Sequence, residues 1–248
     1  MNIALVIGKH NSTGIPGKNW RLVLGRPLVE YPLMAAYHCK SIDEIYVSSD
    51  SPNILKISEK YDAIPINRPK SLALPETPTE DVFEHAWKLI KGKHENHKIN
   101  TISLMFANSP DTLPLLLDEA IEKLNKNNEL DSVTSISKYN MFTPLRARKI
   151  NGNISEPILD LENLEISNTF DRDAMGDIYF CDFGVQVVKP NRCLENARLG
   201  RLPFRWLGNN QGYIIKDYGF DIDYEWQFPV IENWLREHGF SNTETPYI

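Results

Sequence analysis

The sequence predicts an α/β fold built on a mostly parallel sheet. Three observations carry that expectation. Short apolar runs alternate with amphipathic segments through residues 1–137, Gly, Ser, Asn and Pro punctuate the junctions, and the unusual polar clusters all follow the apolar runs. Residues 3–7 (Ile-Ala-Leu-Val-Ile) read as a first buried strand, followed by a polar loop over 8–19 with glycines at 8, 14 and 17. Residues 28–40 read as a helix with Leu28, Tyr31, Ala35 and Cys39 on one stripe and Pro32 early in it. Residues 44–48 form a second strand, and Ser51 is placed to cap the next helix, with Pro52 at its first position.

A third strand over 63–66, a helix over 79–91 and a fourth strand over 101–106 continue the alternation. Leu113, Leu116, Leu117, Ala120, Ile121 and Leu124 recur at helical spacing and give the clearest helix. A fifth strand spans 131–137. The alternation then stops: residues 138–177 are polar, proline-bearing and poorly periodic, which suits an inserted lobe for dimerisation or a long surface loop. Strands over 179–188 and 213–215, an acidic run over 217–223 and a helix over 225–237, with Phe228, Ile231, Trp234 and Leu235 inward, close the chain.

Composition narrows the function. A formal charge of −6 in 248 residues argues against nucleic acid as a partner, while a small anion in a local basic pocket is compatible. Cys39, Cys181 and Cys193 form no close pair, and are expected to be buried thiols in a reducing compartment. The sequence opens on a strand pattern and holds no apolar run of the roughly 18 residues a membrane span needs, so the expected location is the cytoplasm. His94-Glu95-Asn96-His97 lies in a polar run and is expected to be solvated loop.

The loop over 8–19 is the first candidate site. Its glycines permit positive φ and close approach, and Lys9 and Lys18 bring charge, which suits a nucleoside triphosphate; an ordinary strand-to-helix connection rich in Gly and Lys has the same letters. Ser12 and Asn19 stand where a Walker loop needs Gly and Ser or Thr, and Pro16 breaks a dinucleotide fingerprint. Further polar clusters at 48–51, 67–69 and 107–111 follow later strands, where open α/β sheets collect ligands. Asp221-Ile222-Asp223 sets two carboxylates at i and i+2 on a strand-like segment, a placement for Mg²⁺ or an acidic turn capping the last helix. Arg68 suits either a nucleotide or a neighbouring carboxylate.

The ordered set Gly14-Ile15-Pro16-Gly17-Lys18-Asn19, Gly25-Arg26-Pro27-Leu28, Val47-Ser48-Ser49-Asp50-Ser51, Asn67-Arg68-Pro69, Asn108-Ser109-Pro110 and Asp221-Ile222-Asp223 resembles the acylneuraminate cytidylyltransferases. These are the synthetases of CMP-sialic acid and of its legionaminic and pseudaminic relatives, and the likeness runs along nearly the whole chain. It implies one domain over 1–248 with a Rossmann-like three-layer nucleotidyltransferase core and a small dimerisation lobe at about 138–177. It also implies a homodimer that uses CTP, Mg²⁺ and an acidic nine-carbon 2-keto sugar. By the same resemblance Gly8, Lys9, Ser12, Gly17, Lys18 and Asn19 hold the CTP phosphates, Arg68 and Thr79 the cytidine, and Asp221 and Asp223 the metal. Phe106 and Asn108 then face the sugar, and Arg172 reaches a partner subunit's site.

Three departures stand out. Lys9 replaces the family's usual Arg, Thr13 its Lys, and Phe106 a Gln expected near the sugar. An aromatic ring cannot reproduce an amide's hydrogen bonds, so a deoxy, more apolar acid is expected in place of sialic acid. A 3-deoxy-octulosonate enzyme, or a nucleotide-binding protein that has lost catalysis, are the alternatives.

Overall fold

In the computed structural model, which describes residues 1–12, 14–160, 176–219 and 221–247, β1 (Asn2–Ile7) lies near the centre of a seven-stranded sheet. Its neighbours are β4 (Glu44–Ser49) and β6 (Thr101–Phe106), both parallel to it, with β5 (Ile64–Asn67) beyond β4. On the other side β10 (Tyr179–Val188) runs antiparallel to both β6 and β7 (Ser132–Lys138), and β11 (Gln211–Lys216) closes that edge parallel to β7. β2 (Leu22–Val23) and β3 (Arg26–Pro27) form a small ribbon.

Alternation along the strands builds two helical layers. Ala4 and Val6 of β1 pack with Leu33 and Ala36 of α1 (Glu30–His38), Ile54 of α2 (Pro52–Ser58) and Leu117, Ile121 and Leu124 of α4 (Pro114–Lys126). Ile3, Leu5 and Ile7 point the other way, onto Phe83, Ala86, Trp87 and Ile90 of α3 (Thr79–Lys93), with Trp206 and Leu207. A short turn of helix, α5 (Pro190–Cys193), adds Cys193 to that layer. A third cluster packs Phe228, Ile231 and Leu235 of α6 (Gln227–Glu237) against Leu24, Leu28 and Tyr31. Removing a ring from such a core, as in Phe83→Ala, costs about 3–5 kcal/mol.

The element order matches the sequence expectation, with several local corrections. Ser51 sits at the N-cap of α2 but makes no cap with its side chain; its Oγ instead meets His10 Nδ1 at 3.3 Å. His94 is no solvated residue: its ring is nearly buried and hydrogen-bonds the Tyr46 hydroxyl at 2.9 Å and Glu44 at 3.1 Å. Cys39 and Cys193 are buried, and burial pushes both thiols up to about 12, whereas Cys181 is only half-buried. Segment 221–223 is irregular backbone, not strand: β11 ends at Lys216, and among the described residues no strand pairs with this segment. Within 138–160, two short turns lead into a hairpin of β8 (Arg148–Asn151) and β9 (Ile154–Pro157), with Ile150 and Ile154 exposed. Among the described residues no helix is long and apolar enough to cross a membrane.

Candidate active site

Because β1, β4, β5 and β6 run parallel, their carboxyl ends deliver the glycine loop, Ser48 to Ser51, Arg68 and Asn108 to one edge of the sheet. A cleft of about 440 Å³ opens there. Its lining includes Gly8, Lys9, Ser12, Lys18, Asn19, Arg68, Thr79, Phe106, Asn108 and Asp223.

Close packing explains the glycines. A Cβ on Gly8 would lie 2.8 Å from that of Ala107, so β1 and β6 converge too tightly for a side chain there. Gly17 adopts φ 72° under the Trp20 ring, which tightens the turn carrying Lys18 and Asn19 into the cleft. Gly17 itself does not line the cleft. Asn19 donates from Nδ2 to the Lys9 carbonyl at 2.9 Å, tying the two ends of the loop together. Thr13 lies outside the described residues.

Lys18 is buried, and its ammonium donates to the Ile222 carbonyl at 2.6 Å and to Asp223 at 2.5 Å. Ile222 is fully buried in the α6 cluster and donates its N–H to the Asn108 carbonyl at 2.9 Å. That anchoring turns the flanking carboxylates away from the core. Asp223 lines the cleft, while Asp221 lies behind Asn108, accepting from its Nδ2 at 3.1 Å. Burial first, then the charge of Asp223, pushes the Asp221 carboxyl above its ordinary value, against the pull of Lys18 and Asn108. The pair does not cap α6: Gln227 Oε1 accepts the N–H groups of Asp223 and Tyr224, at 2.6 and 2.7 Å.

Among the described residues, Arg68 pairs directly with no carboxylate. Its guanidinium donates to Ser48 Oγ at 3.2 Å and to the Ser48 carbonyl at 2.5 Å, and burial lowers its pKa to about 10. Thr79 opens α3, whose first turn carries Glu80 and Asp81. Phe106 sits at the end of β6, wedged between Phe83 at 6.1 Å and Phe183 at 5.8 Å between ring centroids. Arg172 lies outside the described residues. The cleft is also lined by Leu72, Leu74, Thr77, Val82 and Tyr224, which sequence reasoning missed. Two leucines isolated in the polar, proline-rich segment 69–78 were the available signal.

The family model for cytidylyltransferases matches residues 3–157. A CMP-N,N'-diacetyllegionaminic acid synthase of Legionella pneumophila subsp. pneumophila is 31% identical over 228 residues, covering 90% of this chain and 92% of its own. An N-acylneuraminate cytidylyltransferase of Oncorhynchus mykiss is 25% identical over 245 residues; the match takes in 99% of this chain, which spans only 52% of the fish protein. Among solved structures, CMP:2-keto-3-deoxy-manno-octonic acid synthetase complexed with CTP has a TM-score of 0.65 at 11% identity, over 95% of this chain and 98% of that one. This last is a likeness of fold.

Proposed function

The chain belongs to the cytidylyltransferase family, and we propose that it transfers CMP from CTP to a nonulosonic 2-keto sugar acid with release of pyrophosphate. The observation that carries this reading is convergence: the glycine loop, Arg68 and Asp223, far apart in sequence, share one cleft. In the proposed reaction the anomeric hydroxyl of the sugar acid attacks the α-phosphorus of CTP in line.

Positioning and charge supply the catalysis. Lys9 and Lys18 oppose the phosphate charge, with Gly8, Ser12, Gly17 and Asn19 shaping the loop around it. Glu80 and Asp81 make the start of α3 a poor phosphate site and a better one for the base, beside Arg68, Thr79, Leu72 and Leu74. Asp221 and Asp223 fit a divalent cation: they are hard oxygen donors, and the half-buried, charge-crowded Asp221 gains from a neighbouring positive charge. Mg²⁺ held there would supply charge neutralisation toward the phosphates. Phe106, in place of an amide, favours an acceptor with deoxy or methyl-bearing carbons, such as a legionaminic or pseudaminic acid. Residues 138–177, Arg172 among them, are read as the lobe that joins two copies, each in the cytoplasm; sedimentation as a monomer at micromolar concentration would overturn that assignment.

The test is to incubate the protein with each of the four nucleoside triphosphates, Mg²⁺ and a panel of 2-keto sugar acids while following pyrophosphate. Turnover confined to CTP and nine-carbon acids is expected. Turnover with an eight-carbon acid alone, or CTP binding without turnover on any acid, would overturn the reading.

A further inference from the structure

β10 does not run straight past the cleft. Between Cys181 and Gln186 its pairing register slips, five residues advancing on β10 against two on β7, and Phe183 takes φ 59° inside that bulge. A bulky side chain rarely adopts the left-handed region, where Gly or Asn sits without strain. The surroundings impose it. Asp182, buried, accepts the Gly184 N–H at 2.9 Å and the hydroxyls of Ser135 and Ser137, while Thr112 donates to the Gly184 carbonyl. Ser135 also accepts the Val185 N–H at 2.9 Å. Beneath the turn there is no spare room, since a Cβ on Gly184 would lie 2.5 Å from Lys216 Nζ.

This buried polar framework holds one ring in one place. Phe183 stands edge-on to Phe106, at 5.8 Å and 88°, and edge-on to Phe204, at 4.7 Å. Phe106 is the residue of this set that lines the cleft. Phe83, at 6.1 Å, is its second aromatic neighbour, so two rings pack against the one that faces the cleft. Backbone strain that the neighbourhood over-determines points to a functional role.

We propose that Phe183 is a positioning residue for acceptor specificity: held by the β10 bulge, it locks Phe106 as an aromatic wall that selects sugar acids with deoxy, methyl-terminated carbons over polyhydroxylated ones. This rests on the cytidylyl-transfer reading above. It assigns specificity to a residue outside the cleft lining.

The experiment compares kcat/KM for N,N'-diacetyllegionaminic acid, whose terminal carbon is a methyl, with that for N-acetylneuraminic acid, whose terminal carbon bears a hydroxyl. Phe183→Gly and Phe183→Asn both accept positive φ and preserve the bulge. Each is expected to lower the ratio tenfold or more while KM for CTP stays within twofold; Phe183→Tyr, keeping the ring, stays within threefold of the parent ratio. A purely structural role would depress both acids equally, and an equal loss in both variants overturns the proposal. So does a parent enzyme that prefers the hydroxylated acid, although the transfer reading then stands. Absence of turnover on either acid or any other overturns that reading and this proposal with it.

Discussion

Two lysine–aspartate pairs bracket the segment that runs from the end of β11 to the cleft, each with nitrogen and oxygen 2.5 Å apart. Lys216 and Asp111 are 3% and 2% exposed, so neither charge has water to fall back on. Lys18 is 9% exposed but its partner Asp223 is 54% exposed, at the cleft wall. Identical chemistry thus serves opposite ends. The buried pair is locked, because parting it strands a charge in low dielectric. The half-open pair can exchange partners at smaller cost: water or another ion replaces what Asp223 loses, and the Lys18 ammonium keeps the Ile222 carbonyl. A rigid root and an adaptable tip are what a loop needs if it is to present carboxylates to a charged substrate.

The largest expected effect tests the root. Asp111→Ala leaves the Lys216 ammonium buried without its partner and should lower unfolding free energy by about 3–5 kcal/mol in urea titration. Replacing both residues by apolar ones, Asp111→Leu with Lys216→Met, should lose less than either single change. A double variant as unstable as the sum of the singles would break the comparison, showing that the pair acts through separate contacts.

At the tip the effect should appear in turnover more than in stability. Asp223→Asn is expected to reduce kcat about a hundredfold or more and raise the Mg²⁺ needed for half-maximal rate, while stability falls far less than in Asp111→Ala because the amide oxygen and the Ile222 carbonyl still accept from Lys18. Near-normal turnover would return Asp223 to a merely structural role beside Lys18.

How far such distinctions are legible in a sequence depends on whether the cause is local. The strand over 179–188 and the helix starting at Thr79 follow from residue periodicity and stand at those positions. The glycine loop and Arg68 are legible because turn chemistry and strand ends are local signals, and both line the cleft. Asp221-Ile222-Asp223 reads as strand by its alternation, yet its geometry comes from a buried Ile222 and from the Asn108 carbonyl, partners more than a hundred residues apart in the case of Asn108. The bulge at Phe183 has no glycine or asparagine at its left-handed position to announce it; Tyr-Phe-Cys-Asp-Phe-Gly-Val-Gln-Val-Val reads as unbroken strand. His94 reads as loop because its partners, Glu44 and Tyr46, lie far away in sequence on β4, while His94 itself follows the end of α3. In each case tertiary contact, invisible to local pattern, decides.

A third acid–base pair, like Lys18 and Asp223 in having one partner mostly buried and the other half-exposed, carries the smallest predicted effect. Asp131 is 12% exposed and Arg192 47%, at 3.1 Å, and Asp131 also accepts the N–H groups of Asn209 and Asn210, each at 3.0 Å. Burial works against its charged form, but those two N–H groups and Arg192 outweigh burial, so its carboxyl is held below the ordinary value. A depressed folded-state pKa contributes stability that is fully present above the unfolded value, near 3.9, and disappears as pH falls through the folded one. Asp131→Asn should therefore lower stability by about 1 kcal/mol at pH 7, and the gap to the parent should close in the acid range below about pH 4. Urea midpoints measured from pH 7 down to pH 3 would show it. A gap that stays constant with pH would mean that packing at the start of β7, and not the carboxylate's charge, is what the substitution disturbs, and the comparison of ion pairs by the exposure of their partners would not extend to this one.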